Sequence, residues 1–263
     1  MTRSSTAYCR NRANPVLLAE LSLPKETQQN SRRPTLQRDL PVIILHHCVS
    51  ARSFRPLWLL EELGLAYELH MWPFPPRAVA REYLSENPLG TVPLLVDGTT
   101  RMTESAGICQ YLAARHSPGA LDVAVGDPAY GAYLNWLHMS DATLTFPQTL
   151  VLRYTHFETA ERLQPQVASD YARWFLARLR AVDAATQQAE YLCAGRFTAA
   201  DVAVGYALLL AEHLGLDAQF PPAVSAYWAR LKQRPAYQQA LQVQHQAALD
   251  QGVPTIPSPD IRP

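Results

Sequence analysis

From residue 41 onward, short apolar runs alternate with segments whose apolar residues recur at helical spacing. Three of the short runs are β-branched or alternating and predict strands: residues 42–45, 67–71 and 94–96. Between the first two runs, residues 55–64 place leucines at helical spacing, and Gly64 suits a helix C-terminus. A proline-rich turn at residues 72–76 precedes a short helix around residues 78–85. The pattern therefore predicts two strand-helix units and then a third strand.

The pair Asp97 and Gly98 predicts a hairpin between the third strand and a short fourth strand near residues 101–102. A helix follows from residue 104 to about residue 115. The resulting order, β-α-β-α-β-β-α, is the thioredoxin arrangement, in which the first crossover gives a parallel pair and a hairpin ends the sheet. We therefore expect a thioredoxin-like N-terminal domain.

After residue 119 the strand signals stop, and the remaining segments have helical spacing. Helices are predicted at residues 130–154, 165–187, 199–214, 223–234 and 237–248. The apolar stretch 202–211 is interpreted as a buried core helix. The predicted fold class is α/β plus all-α. The predicted parts are a loosely ordered extension (1–40), a thioredoxin-like domain (41–117), an all-helical bundle domain (126–248) and a proline-rich tail (249–263).

Composition narrows the classes of function. The 263 residues include 23 basic and 23 acidic ones, so the chain lacks the basic excess typical of nucleic-acid binders. No stretch approaches the roughly 20 apolar residues that span a bilayer, and the acidic residues within 1–40 argue against a transit peptide. The widely spaced Cys9, Cys48, Cys109 and Cys193 favour reduced thiols in the cytoplasm over disulfides or a metal site. We therefore expect no nucleic-acid, membrane or metal partner.

Residues 87–93, followed by Glu104 and Ser105, carry the most informative chemistry. A proline at the start of a central strand cannot donate to the ladder. If the Val92–Pro93 bond is cis, the Val92 backbone turns outward, where an extended peptide could pair with it; a trans proline capping the strand is the structural alternative. Glu104 and Ser105 begin a helix, where free N–H groups and the helix dipole favour a carboxylate. Taken alone, that pair is more often simply a helix cap.

Together, these segments resemble the N-terminal domain of the glutathione-transferase family in spacing and residue type, over residues 45–69, 87–93 and 104–112. The resemblance implies that Val92, before a cis Pro93, pairs its backbone with the cysteinyl part of glutathione. It also implies that Glu104 and Ser105 hold the γ-glutamyl end.

Two further features bear on this resemblance. The family often has Lys or Arg where this chain has Thr91, so the contact to the glycyl carboxylate must come from elsewhere, with Arg77 and Arg81 as candidates. In the C-terminal half, Thr198 and Asp201 have the spacing of a capping box, which resembles a helix-nucleating motif of the family. This second motif is expected to be structural.

Glutathione chemistry needs the thiolate, and the family places the activating residue between the first strand and the first helix. The loop contains no Tyr. Ser50 is the first choice, because it lies five residues before Arg55, as the catalytic Ser does in zeta-like members. Ser53 is the second choice, although it can serve as the N-cap of the first helix. Arg52 stands where beta-class members carry Cys and could stabilise a thiolate electrostatically.

Other residues near this loop have plainer interpretations. Cys48 falls at the end of the strand and is expected in the core. His46 and His47 alternate, so one of them is expected to face outward. The electrophile pocket is expected between the domains, lined by helical residues such as Trp136, Phe146 and Tyr154.

The resemblance implies an enzyme that binds glutathione as co-substrate and directs its thiol at a small electrophile, peroxide or disulfide. It also implies a cytoplasmic homodimer. The alternative is a non-catalytic glutathione-binding or protein-interaction module, because folds outlive activities.

Overall fold

The structure, a computed structural model, describes residues 42–257, and the predicted extension 1–40 lies outside them. A four-stranded sheet in the order β2-β1-β3-β4 underlies the first half. Its strands are β1 (Ile43–His47), β2 (Tyr67–Met71), β3 (Leu94–Asp97) and β4 (Thr100–Met102). Strand β1 pairs parallel with β2 and antiparallel with β3, and β3 and β4 form the predicted hairpin.

The helices of this half are α1 (Phe54–Leu63), α2 (Pro76–Val79) and α3 (Ser105–His116), with a 3-10 turn at Arg81–Ser85 after α2. Helix α1 is the crossover between the two parallel strands, and Gly64 ends it in the left-handed conformation. The element order and the thioredoxin-like fold of this half are therefore confirmed.

The second half contains only helices among the residues that the structure describes. They are α4 (Tyr130–Met139), α5 (Phe146–Leu152), α6 (Pro165–Thr186), α7 (Ala199–His213), α8 (Pro222–Lys232) and α9 (Pro235–Asp250), with a short 3-10 turn on each side of the α6–α7 pair. The single helix expected over 130–154 is interrupted by π turns at Ser140–Thr145 and Arg153–Phe157. At the first π turn, the Ser140 carbonyl accepts hydrogen bonds from Thr145 Oγ1 and from a buried arginine, Arg55.

Helix α7 is the centre of the helical half. Every residue from 199 to 211 is buried, as the apolar stretch predicted. The capping box is confirmed: Asp201 Oδ2 accepts from the Thr198 N–H (2.8 Å), and Thr198 Oγ1 accepts from the Ala200 N–H (3.3 Å). Asp201 also accepts from Leu192 N–H and Tyr227 O–H, so this cap joins α7 to a preceding loop and to α8.

The predicted tail begins later than residue 249, because α9 continues to Asp250. Gln251 directly after it donates to the Leu69 carbonyl (2.8 Å) and accepts from the Met71 N–H (2.8 Å). Its side chain therefore satisfies backbone groups on the edge strand β2. The boundary between the two domains stays a prediction. Within residues 42–257, the helices are too short or too polar to span a lipid bilayer.

Candidate functional site

A cavity of about 390 Å³ lies between the sheet half and the helical half. The loop after β1, the segment that leads into α2, the loop before β3 and the start of α3 form one side, and α5 and α7 form the other. The residues lining it are Ser50, Ala51, Arg52, Phe74, Pro76, Arg77, Leu89, Gly90, Thr91, Val92, Pro93, Thr103, Glu104, Ser105, Thr149, Leu152, Tyr206 and Leu210.

The segment before β3 is shaped by Asn87. Its side chain accepts from the Leu89 N–H (3.1 Å) and donates to the Thr91 carbonyl (2.8 Å), while its own carbonyl accepts from the Gly90 N–H (2.8 Å). These bonds fold the chain into a turn that ends at Thr91. Val92 lines the cavity and lies outside the paired part of β3, whose ladder with β1 starts at Leu94, so this ladder does not use the Val92 backbone groups.

The Val92–Pro93 peptide bond is cis, as the resemblance implied. Gly90 has φ +60°, and a Cβ there would lie 2.6 Å from Arg77 Cβ. Only glycine fits this approach between the turn and α2. Of the two candidates for the glycyl carboxylate, Arg77 lines the cavity and Arg81 does not.

Glu104 and Ser105 lie together at the N-terminus of α3, on the cavity wall. Glu104 makes no side-chain capping hydrogen bond, so the plainer interpretation as a side-chain cap is not supported. Ser105 Oγ accepts a hydrogen bond from Arg55 Nη1 at 2.8 Å. Because a guanidinium can only donate, the Ser105 hydroxyl proton is left for another acceptor. This helix start therefore offers an anion both a hydroxyl donor and free backbone N–H groups.

Arg55 is completely buried, although the sequence gives it no role beyond marking the spacing of the loop. Its guanidinium lies 4.5 Å from the centroid of the Tyr206 ring. It donates five hydrogen bonds, to Ser105 Oγ (2.8 Å), Asp141 Oδ1 (3.1 Å), Ser140 O (3.0 Å), Thr145 Oγ1 (2.6 Å) and Ala203 O (3.0 Å). A buried cation is tolerated only when it is paired and hydrogen-bonded in this way. Arg55 therefore joins α1 and α3 to the π turn and to α7.

The two candidate serines, Ser50 and Ser53, have different surroundings in the structure. Ser50 lines the cavity, has φ +51° and accepts from Gln244 Nε2 at 3.3 Å. Ser53 has no exposed surface; its Oγ lies 2.7 Å from His47 Nδ1 and accepts from the Cys48 N–H at 3.3 Å. Ser53 occupies the N-cap position but makes no side-chain capping bond. Ser50 is thus the serine positioned for a ligand.

Arg52 also lines the cavity, two residues before α1 begins. It donates to Thr149 Oγ1 (3.0 Å) and lies 3.6 Å from Asp141 Oδ2. Since Asp141 is shared with the buried Arg55, one carboxylate faces two cations, and the group of these three residues carries a net positive charge.

Cys48 is buried, and this burial raises the pKa of its thiol. It is therefore a core residue, as expected. His46 and His47 are both buried, so the expectation that one faces outward is wrong. Burial lowers the pKa of each imidazole to about 4. Trp72 Nε1 donates to His46, and Gln244 binds His47, so both rings are held as neutral groups.

The helical wall of the cavity differs from the expected one. Trp136, Phe146 and Tyr154 do not line it; Trp136 packs in the main core, and Phe146 is 53% exposed. Thr149 and Leu152 of α5, which lies between the two π turns, line the cavity instead. Tyr206 and Leu210 of α7 complete the wall. Among the described residues, no group of three or more His, Cys, Asp or Glu side chains is placed to hold a metal ion.

Arg55 and Gln244 are the polar residues near the site that sequence reasoning missed. A charge near the start of α1, within its otherwise apolar first seven residues, is a weak signal for Arg55. For Gln244, one of several glutamines on α9, the sequence offers no signal at all.

Known proteins match both halves of the chain. A family model described as the glutathione S-transferase N-terminal domain matches residues 49–115. Glutathione S-transferase 3 of Schizosaccharomyces pombe is 32% identical over 103 residues, which cover 39% of this chain and 43% of that protein. Glutathione S-transferase GstA of Escherichia coli O157:H7 is 29% identical over 161 residues, which cover 61% of this chain and 77% of that protein.

Among solved structures, a glutathione transferase from Methylococcus capsulatus superposes with a TM-score of 0.68 at 26% identity, covering 77% of this chain and 98% of that one. The aligned part of the fission yeast relative is less than half of its length, whereas the solved structure is matched almost completely. In sequence over residues 49–115 and in overall fold, the chain is similar to glutathione S-transferases.

Proposed function

We propose that the protein binds glutathione in the cavity between its two halves. Glutathione presents an ammonium and a carboxylate at its γ-glutamyl end, a peptide backbone in the middle and a carboxylate at its glycyl end. Glu104 and Ser105, at the start of α3, suit the first end, the Val92 backbone suits the middle, and Arg77 suits the last. Each ligand group thus has a protein group of complementary charge or hydrogen-bonding type.

The proposed reaction is attack by the glutathione thiolate on a small electrophile, peroxide or disulfide. The Ser50 hydroxyl donates a hydrogen bond to the sulfur and stabilises the thiolate, with the Arg52 charge as an electrostatic contribution. Leu152 and Leu210, on the opposite wall, suit an apolar second substrate.

The observation that supports this proposal is the meeting, in one cavity, of the Ser50 hydroxyl, the Val92 backbone and the N-terminus of α3. Isothermal titration calorimetry with glutathione, followed by turnover assays over several electrophiles, peroxides and disulfides, tests it. Binding with turnover is the expected result. Binding without turnover over the whole panel would favour the non-catalytic module, and no heat at millimolar glutathione would refute both functions.

We also propose that the protein acts in the cytoplasm as a homodimer with a role in detoxification. Cys48, Cys109 and Cys193 are free and buried, which suits a reducing compartment. On the outer face of α6, the half-exposed Trp174 stacks with Tyr171 and is suited to a subunit contact. Analytical ultracentrifugation should give twice the chain mass of 29.3 kDa; the single-chain mass at micromolar concentration would argue against the dimer.

A further inference from the structure

Gln244 lies on α9, 194 residues from Ser50 along the chain, yet it contacts both the backbone and the side chain of this serine. Its Oε1 accepts from the Ser50 N–H at 2.9 Å, and its Nε2 donates to Ser50 Oγ at 3.3 Å. Gln244 is 4% exposed and is not among the residues that line the cavity. It therefore lies behind the loop that carries Ser50.

The direction of each hydrogen bond around Gln244 follows from one backbone group. A backbone N–H can only donate, so the amide atom facing Ser50 N must be the oxygen. The other amide atom is then the NH₂ group, which must donate to Ser50 Oγ.

The same oxygen lies 3.0 Å from His47 Nε2, so that ring nitrogen carries the proton and donates. His47 Nδ1 is consequently the acceptor, and it takes the Ser53 hydroxyl proton over 2.7 Å. Ser53, His47 and Gln244 thus form a row of hydrogen bonds in which Ser53 donates to His47 and His47 donates to Gln244.

Ser50 is the last residue in this row of hydrogen bonds. Its Oγ accepts from Gln244, and within residues 42–257 its hydroxyl proton has no acceptor. The loop around it is fixed as well: Ser50 has φ +51°, and its carbonyl lies 3.4 Å from the Tyr206 hydroxyl, which donates to it. The hydroxyl is therefore left with its proton to donate toward the cavity that it lines.

We propose that Gln244 is a positioning residue, which occupies the Ser50 oxygen from behind and thereby directs the Ser50 hydroxyl proton at the glutathione sulfur. This inference rests on the proposed function, because it assigns a sulfur to the place where the proton points. Gln244 itself touches no substrate.

The test compares Gln244→Met with Gln148→Met in the full chain. Methionine keeps much of the volume of glutamine but cannot donate to Ser50. Gln148 is the matched control, because it too is a buried glutamine, donates to the Leu144 and Ala207 carbonyls and lies outside the cavity lining.

Three quantities are measured for each variant: the glutathione Kd, the pKa of the bound thiol from thiolate absorbance, and kcat/KM. For Gln244→Met we expect a raised thiol pKa, a loss of kcat/KM on the order of tenfold or more, and a Kd within about threefold of wild type. Gln148→Met should move neither the thiol pKa nor kcat/KM. A loss of stability alone would not raise the thiol pKa in the folded fraction.

Gln244→Glu is the second variant. It keeps an oxygen for Ser50 N and His47 but replaces the donor with an acceptor, so above neutral pH the Ser50 proton should turn toward Glu and the thiol pKa should rise. A folded Gln244 variant that binds glutathione with an unchanged thiol pKa and kcat/KM would overturn the inference, as would failure of both variants to fold. Absence of glutathione binding by the wild type would instead refute the proposed function.

Discussion

The hydroxyl groups of Ser50 and Ser53 differ in their hydrogen-bonding partners. The Ser53 hydroxyl gives its proton to His47 and receives the Cys48 N–H, so both of its roles are taken within the fold. The Ser50 hydroxyl only receives a bond, from Gln244, and it lies on the cavity wall. For single residues, which group donates and which accepts in each hydrogen bond decides which serine is free to interact with a ligand.

Ser50→Ala and Ser53→Ala should therefore differ in their effect on activity. We expect Ser50→Ala to lower kcat/KM by about 10²-fold, the scale of removing one donor to a developing anion. It should also cost about 1–3 kcal/mol of stability, because it leaves the buried Gln244 Nε2 without its acceptor. Ser53→Ala should lower the free energy of unfolding by about 1–3 kcal/mol, because it leaves His47 Nδ1 buried without a donor, and should keep most of the activity. Denaturant titrations and steady-state kinetics measure both. The reverse pattern would transfer the activating role to Ser53.

His47 should make stability depend on pH. Its folded pKa is lowered to about 4 by burial, against about 6.5 when unfolded. The unfolded chain thus binds more protons between these values, so the contribution is present above pH 6.5 and is lost as the pH falls toward 4.

Unfolding free energies of wild type and His47→Gln, measured at pH 7 and pH 4.5, test this prediction. The advantage of wild type over the variant should shrink by about 2–3 kcal/mol on acidification. The comparison removes contributions from other groups, such as His46, that titrate in both proteins. An equal difference at the two pH values would contradict the assignment of a neutral buried His47.

At the scale of elements, α1 and α7 pack closely because one position on α7 has no side chain. A Cβ at Gly205 would lie 2.7 Å from Trp58 Cζ3 and 3.1 Å from Leu231 Cδ1. Trp58 cannot withdraw easily, since it is completely buried and its Nε1 donates to Glu62 Oε1 at 2.9 Å. The glycine therefore allows the close approach of α1 and α7 at Trp58.

Gly205→Ala should destabilise the protein, although alanine is the better helix former. The gain in helix propensity is about 1 kcal/mol, whereas overpacking a core costs about 1–3 kcal/mol, so the packing term should prevail. Gly131→Ala on α4 is the matched control, because a Cβ there meets nothing within 4 Å. We expect the control to be neutral or stabilising in urea titrations. A Gly205 variant as stable as the control would show that Trp58 can move.

At the scale of the whole molecule, Arg55 connects the two halves through a single guanidinium. It is bonded to Ser105 at the start of α3, to the π turn after α4 and to the Ala203 carbonyl of α7. Arg55 thus joins the candidate anion site to the helical half. Loss of its guanidinium N–H donors should therefore affect both ligand binding and stability.

Arg55→Lys should lower the free energy of unfolding by about 3 kcal/mol, because lysine keeps the charge but cannot make five directed hydrogen bonds in a buried site. It should also weaken glutathione binding, since Ser105 loses the donor that orients it. Arg101→Lys is the control: this half-exposed arginine bonds to Glu86, and its replacement should cost less than about 1 kcal/mol. Calorimetry and denaturant unfolding measure the two effects, and a stable Arg55 variant with wild-type affinity would contradict this role.

The sequence by itself determined the elements and their order. These elements could be predicted because their patterns are local. In β1, α1, β2 and the hairpin, the spacing of apolar residues indicates which face of the strand or helix is buried, and in α7 the length of the apolar run does so. It also pointed to Val92–Pro93 and Glu104–Ser105 as candidate ligand segments, because their spacing resembles that of the family, and the structure places all four residues on one cavity. The capping box of Thr198 and Asp201 could be predicted for the same reason: all of its partners lie within a few residues.

Only the tertiary structure decided which of these groups can act. The choice of Ser50 over Ser53 depends on Gln244, and the orientation of Ser105 depends on Arg55, 50 residues away. The cavity wall is formed by Thr149 and Leu152 rather than by the expected residues, and the π turn before them lies where Arg55 donates to the Ser140 carbonyl. A hydroxyl or a carbonyl acquires its direction from whichever partner packs against it, and such partners are set by the assembled fold rather than by neighbours in the chain.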